Sequence, residues 1–206
     1  MKKKPFLTFL AGAVVGAAGM YVVLSYSHET GLFSANRTRD ADAPHGRWSK
    51  PMEATGLPNL HRVTKDLYRG AQPTAEGMKK LKEMGVKTII NLRSFHSDRD
   101  EIGDTGLGYE HIYMKAWHPE RKELVRFLKI ATDPDRTPVF VHCQYGSDRT
   151  GTMCAVYRVA VCGWSQDEAL DEMTKGGFGF HGVWDNLVEY LRKVNIDEIK
   201  KDAGIQ

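Results

Sequence analysis

The segment from Pro138 to Gly151 constrains the fold of this chain more than any other. Pro138 to His142 is a short apolar run rich in β-branched and aromatic residues, followed closely by Thr150 to Val161, a stretch apolar on all sides. A strand of the first kind belongs inside a mostly parallel sheet covered on both faces, and a helix of the second kind must lie beneath other elements. Between them stand Cys143 and Arg149, with Gly146 inside the loop and Gly151 just after it. A loop that opens a helix presents successive backbone N–H groups inward and makes a nest for a tetrahedral anion. The same positive field favours a negatively charged sulfur. Arg149 returns at the end of the loop, where its planar fork can grip two oxygens of the anion at once. Gly146 lets the backbone turn tightly and approach a ligand.

The flanking sequence agrees with such a sheet. His61 to Thr64 and Leu67 to Arg69 read as short strands around a turn at Lys65 and Asp66. Thr74 is placed to cap a helix through Met84, with Gly85 in the stop position. Lys87 to Leu92 is a buried strand by its β-branched run, a polar loop follows to about Gly108, and Tyr109 to Met114 makes the next strand. Pro119 suits the first turn of a helix reaching Ala131. Ser165 and Glu168 form a capping box, and Trp184 to Val194 another helix. Strands alternating with helices, then a helical tail, predict an α/β fold: a three-layer sandwich whose central, mostly parallel sheet is flanked by helices.

A chain of 206 residues, 41% apolar, can bury one good core. Its formal charge is only +3, and Lys2, Lys3 and Lys4 supply much of it. That excludes the concentrated basic face a nucleic-acid partner requires. Three cysteines are too few, and odd in number, for a disulfide framework. Phe6 to Tyr26 carries no charge, and a stretch of roughly 20 such residues can span a bilayer. Residues 1–26 therefore read as an N-terminal transmembrane anchor, with a cleaved signal peptide as the alternative. The preceding lysines would leave the N-terminus in the cytoplasm. The domain would then be held at the membrane on the outer side, or be secreted or periplasmic after cleavage. Residues 27–58 are polar with scattered Gly, Pro, Asn and Asp, and read as a flexible linker. Residues 59–206 form the domain.

His142-Cys143, Gly146 and Arg149-Thr150-Gly151 together resemble the signature loop of the protein tyrosine phosphatase superfamily. The upstream run from Leu67 to Pro73 is similar to a stretch of the small atypical dual-specificity phosphatases. The resemblance covers about residues 60–195. It implies attack of Cys143 on phosphorus, a phosphocysteine intermediate and its hydrolysis by water. Residues Cys143, Gln144, Tyr145, Gly146, Ser147, Asp148 and Arg149 would bind the phosphate, and the Thr150 hydroxyl would support the sulfur. The implied substrates are a phosphotyrosine or phosphoserine protein or a small phosphate ester, with a phosphoinositide or inositol phosphate as the alternative. No cofactor and no metal is implied. Cys154 and Cys162 have no arginine at the same spacing and read as core residues.

Members of this superfamily usually protonate the leaving oxygen with an aspartate from a loop before the cysteine. Here that loop, Lys115 to Glu120, contains none. Asp148, inside the signature loop, and His118, on the expected loop, are the leading candidates for the acid, because each suits donation near neutral pH. Asp98 and Asp100 are further ones. The missing aspartate also leaves open a catalytically silent phosphate-binding module. The run Gly176 to His181 reads either as a border of the pocket or as a hinge between helices.

Overall fold

The computed structural model describes residues 47–206. A six-stranded sheet with the order β1-β2-β3-β6-β4-β5 forms its centre. The strands are β1 (Lys50–Pro51), β2 (His61–Arg62), β3 (Leu67–Gly70), β4 (Thr88–Asn91), β5 (Gly108–His111) and β6 (Val139–His142). β3, β6, β4 and β5 run parallel, whereas β1 and β2 are antiparallel additions at one edge. The helices are α1 (Ala75–Glu83), α2 (Arg99–Ile102), α3 (Arg121–Ala131), α4 (Asp148–Cys162), α5 (Gln166–Lys175), α6 (Asp185–Lys193) and α7 (Ile196–Ala203). The expected α/β sandwich is what the chain forms.

Alternation along the central strands sorts the core into two halves. On β6, Val139 and Val141 join a large apolar cluster with α3, α4, α5, α6 and α7, while Phe140 faces the opposite cluster with Met78 and Leu81 of α1. On β4, Ile90 and Ile89 divide the same way. Full burial of one such side chain contributes about 1.5–3 kcal/mol. α4 has no exposed stripe along most of its length, which is why its sequence lacks a polar face. The Thr74 cap and the Ser165/Glu168 capping box both form. The polar loop after β4 folds further than expected, closing into α2 and a 3-10 turn at Gly103–Thr105.

Two boundaries differ from expectation. Structure begins before residue 59, since Lys50–Pro51 pairs with β2 and Leu57 is buried. Ser49 is tied down by a buried cluster: its N–H and hydroxyl donate to Glu172 at 2.6 and 2.8 Å, and Glu172 is paired with Arg158 at 2.7 Å. The membrane anchor is the second correction. Among the described residues no helix is long and apolar enough to cross a membrane. The Phe6–Tyr26 stretch lies outside the described residues. Membrane attachment through an N-terminal helix, and the location outside the cytoplasm that followed from it, are therefore withdrawn.

Candidate active site

The parallel pairing of β3 with β6 sets Gly70 beside His142, and that of β4 with β6 sets Asn91 beside His142. The loop after β6 thus emerges at the carboxyl edge of the sheet, between the ends of its neighbours, where open α/β sheets place their ligand sites. Cys143 is 2% exposed at the base of this loop, and α4 begins at Asp148.

The carbonyls of the loop are all held from outside. Gln144 O accepts from the Gln72 N–H at 3.3 Å, and Tyr145 O from the Asn59 amide at 3.0 Å. Gly146 O and Ser147 O accept from one Arg69 nitrogen at 2.6 and 3.4 Å. Peptide planes fixed this way turn their N–H groups to the other side. Among the described residues, no acceptor pairs with the backbone N–H of Gln144, Tyr145, Gly146 or Ser147. Unpaired donors at the start of a long helix are the elements of an anion cradle. Gly146 makes the turn possible: its φ is 73°, and an added Cβ would sit 2.4 Å from the Gly70 carbonyl. Arg69 itself is 1% exposed and lies 3.7 Å over the ring of Phe178.

Arg149, half-buried in the first turn of α4, donates through one nitrogen to Leu92 O at 3.3 Å and Met114 O at 3.5 Å. Those carbonyls follow β4 and β5, so the sheet itself aims the guanidinium, and among the described residues its other donors have no acceptor. Thr150 is fully buried, and its hydroxyl has no partner among the described residues. Gln144 and Tyr145 are exposed on the rim; Phe95, Tyr113 and Trp117, from the loops after β4 and β5, are exposed as well.

The acid candidates separate clearly. Asp98 is wholly buried: one oxygen accepts from His142 at 2.7 Å, the other from Asn91 and Gln72 at 2.9 and 3.0 Å. Burial pushes this carboxyl up, but the hydrogen bond and charge of His142, with Gln72 and His96, outweigh it and hold Asp98 below the ordinary carboxyl value. It therefore orients the residue before the nucleophile candidate and is not free to swing over a pocket. His96, Asp98 and Glu101 bring three potential metal ligands within 4.8 Å. The Asp98 oxygen of that group already serves two amides, which suits an ion-pair cluster better than a metal centre. Asp100 is exposed on α2. His118 is exposed in a tight turn whose N–H donates to Lys115 O, and it lines a groove against Asn186, Glu189 and Tyr190 of α6. Among the described residues, its side chain makes no hydrogen bond to the Cys143 loop.

Asp148 has both oxygens engaged, one by the His181 N–H and one by His181 Nδ1, each at 2.9 Å. The glycine-rich run from Gly176 thus borders the loop, pinned by Ser147 Oγ to Phe178 O at 2.7 Å. Of the two readings of the run Gly176 to His181, the structure favours the border of the pocket, whereas Arg69 as a neighbour of the loop and Asp98 as the partner of His142 were not foreseen.

Cys143 thus lies buried at the base of the loop, with Arg149 in the first turn of the helix that follows. The family described as "DSP-PTPase phosphatase fused to NAD+ Kinase" matches residues 52–187, and the chain belongs to that dual-specificity phosphatase family. A curated relative is the dual specificity protein phosphatase TpbA of Pseudomonas aeruginosa, 32% identical over 143 residues. That match covers 69% of this chain and 65% of TpbA, a little under two thirds of the relative's length. The crystal structure of TpbA superposes with a TM-score of 0.69 at 29% identity, covering 77% of this chain and 98% of that one. TpbA has also been solved in complex with pTyr, at 28% identity and the same TM-score. The catalytic core of Siw14 shares the fold at a TM-score of 0.65 and 22% identity, over 75% of this chain and 95% of that one.

Proposed function

We propose that this chain is a phosphomonoester hydrolase that works through a phosphocysteine on Cys143. The observation that carries this reading is the loop from Cys143 to Arg149, whose carbonyls are tethered outward by Gln72, Asn59 and Arg69, while among the described residues no acceptor takes the N–H groups of Gln144 to Ser147. Phosphate would sit in that cradle, with Gln144 to Asp148 contributing backbone N–H groups and Arg149 a bidentate grip. Cys143 would attack phosphorus from beneath. The unpaired Thr150 hydroxyl would donate to the sulfur and make it a better leaving group when water releases the phosphate.

A phosphorylated tyrosine is the substrate class best supported. Tyr145 is exposed on the loop itself, Phe95, Tyr113 and Trp117 are exposed on the loops after β4 and β5, and the Cys143 loop adds no cation beyond Arg149. A polyanionic inositol phosphate would call for several cations converging there. The pTyr complex of the related TpbA favours the same choice.

The test is phosphate release from p-nitrophenyl phosphate and from a phosphotyrosine peptide by the full chain and its Cys143→Ser variant. Turnover that vanishes in the variant is expected. Equal rates would defeat the reading, and vanadate binding without turnover at any pH would identify a silent phosphate-binding module instead.

A further inference from the structure

Given the phosphatase reading, on which this step rests, the geometry points to His181, held by Asp148, as the group that protonates the leaving oxygen. The loop at Lys115 to Glu120 lacks the usual aspartate. Asp98 is buried behind His142, and Asp148 has both oxygens occupied. What Asp148 offers the site is an imidazole. Its oxygen pairs with Nδ1, and among the described residues Nε2 has no partner. The ring is half exposed, while the Asp148 side chain beneath it is only 10% exposed.

The ring is also well held. Phe178 O accepts from Ser147 Oγ at 2.7 Å and from the Asn59 amide at 3.0 Å, which fixes the backbone three residues before His181 to the Cys143 loop. The His181 N–H adds a third tie through Asp148. Tyr145, exposed on the same loop, meets the His181 ring edge-on with centroids 5.9 Å apart. Among the described residues, Asp148 from α4 and the Tyr145 phenol are the titratable groups in contact with this imidazole. The half-exposed ring stands beside the Cys143 loop, against Asp148 and Tyr145, and a proton on Nε2 would be offered there to a departing oxygen. A carboxylate holding one ring nitrogen while the other handles the proton is a proven acid–base arrangement.

The proton balance closes over the two steps. As Cys143 Sγ bonds to phosphorus, the phosphorus–oxygen bond to the leaving group breaks, and the Nε2 proton of imidazolium passes to that oxygen. Water then attacks phosphorus, the sulfur–phosphorus bond breaks to regenerate thiolate, and the water proton returns to Nε2. Nδ1–H stays with Asp148 throughout.

The experiment compares the full chain with its His181→Asn variant on two substrates. p-Nitrophenolate departs readily without a proton, whereas the phenolate of phenyl phosphate does not. We expect His181→Asn to lose about 100-fold or more in kcat on phenyl phosphate and only a few-fold on p-nitrophenyl phosphate. It should also lose the high-pH limb of the profile and keep its vanadate affinity. Equal losses on both substrates, or a retained limb, would make His181 a structural brace and overturn this role alone. No turnover by the unmodified chain on either substrate would overturn the phosphatase reading, and the role with it.

Discussion

Replacing Asp98 by Asn keeps the shape of a buried side chain and changes only what it can accept. In the native chain its two oxygens take His142 Nε2 at 2.7 Å, Asn91 Nδ2 at 2.9 Å and Gln72 Nε2 at 3.0 Å, all with the side chain at zero exposure. An amide meets that set only at a cost. If its oxygen faces His142, its NH2 group meets the two other amide donors; reversed, it requires His142 to carry its proton on Nδ1, toward the Cys143 carbonyl at 3.2 Å, so that Nε2 can accept. In either orientation the charge-assisted bond is lost. Asn91 keeps partners in His96 O and the Tyr109 hydroxyl, which limits the damage. The expected cost is about 2–4 kcal/mol. For a domain of this size that is roughly 5–15 °C in Tm. Urea unfolding of Asp98→Asn beside the unmodified chain measures it directly.

The same pair reports on pH. Asp98 is held below its ordinary 3.8, because His142 and Gln72 outweigh the burial that pushes it up. A carboxyl lowered by folding contributes fully above its unfolded value and loses that contribution as pH falls through its folded one. The stability gap between native chain and variant should therefore stay flat from neutral pH to about 5 and narrow below about 4. A gap under about 0.5 kcal/mol at neutral pH, or one that widens in acid, would refute the role assigned to Asp98.

Three further perturbations address the loop. Gly146→Ala forces a Cβ onto the Gly70 carbonyl in a left-handed turn, so vanadate affinity measured by titration should fall about tenfold or more. Arg149→Lys keeps the charge but loses the fork, and should cost about 10- to 100-fold in kcat/KM on a phosphotyrosine peptide. Burial pushes the Cys154 thiol up to about 11, so iodoacetamide near neutral pH should label Cys143 on the folded chain and reach Cys154 only after unfolding. Peptide mapping before and after denaturation distinguishes these outcomes.

The parts of the site that were legible in the sequence are those contiguous along it. Strand, cysteine, glycine turn, arginine and helix lie within residues 138–162, and each carries a local signal. The Thr74 and Ser165 caps are local in the same way, and both appear where expected. The roles that were not legible depend on contacts between distant segments. Arg69 lies in the run from Leu67 to Pro73 that carries the resemblance, but nothing local gives it a role, and only the parallel pairing of β3 with β6 brings it to the loop carbonyls. Asp98 stands in a charged run that resembles a solvated surface, yet the fold turns it inward to His142. His181 lies more than 30 residues beyond the loop it touches. The glycine φ values around it, 80° at Gly177 and 78° at Gly179, allow that return path. The polar stretch before residue 59 read as a tether because a two-residue strand has no periodicity to detect.

Trapping the covalent intermediate tests the central role of Cys143 most directly. The full chain, mixed with p-nitrophenyl phosphate and quenched in acid within milliseconds, should carry one phosphoryl group. Peptide mass mapping should locate that group on Cys143, and Cys143→Ser should release no phosphate. Turnover that leaves Cys143 unmodified and persists undiminished in Cys143→Ser would contradict it.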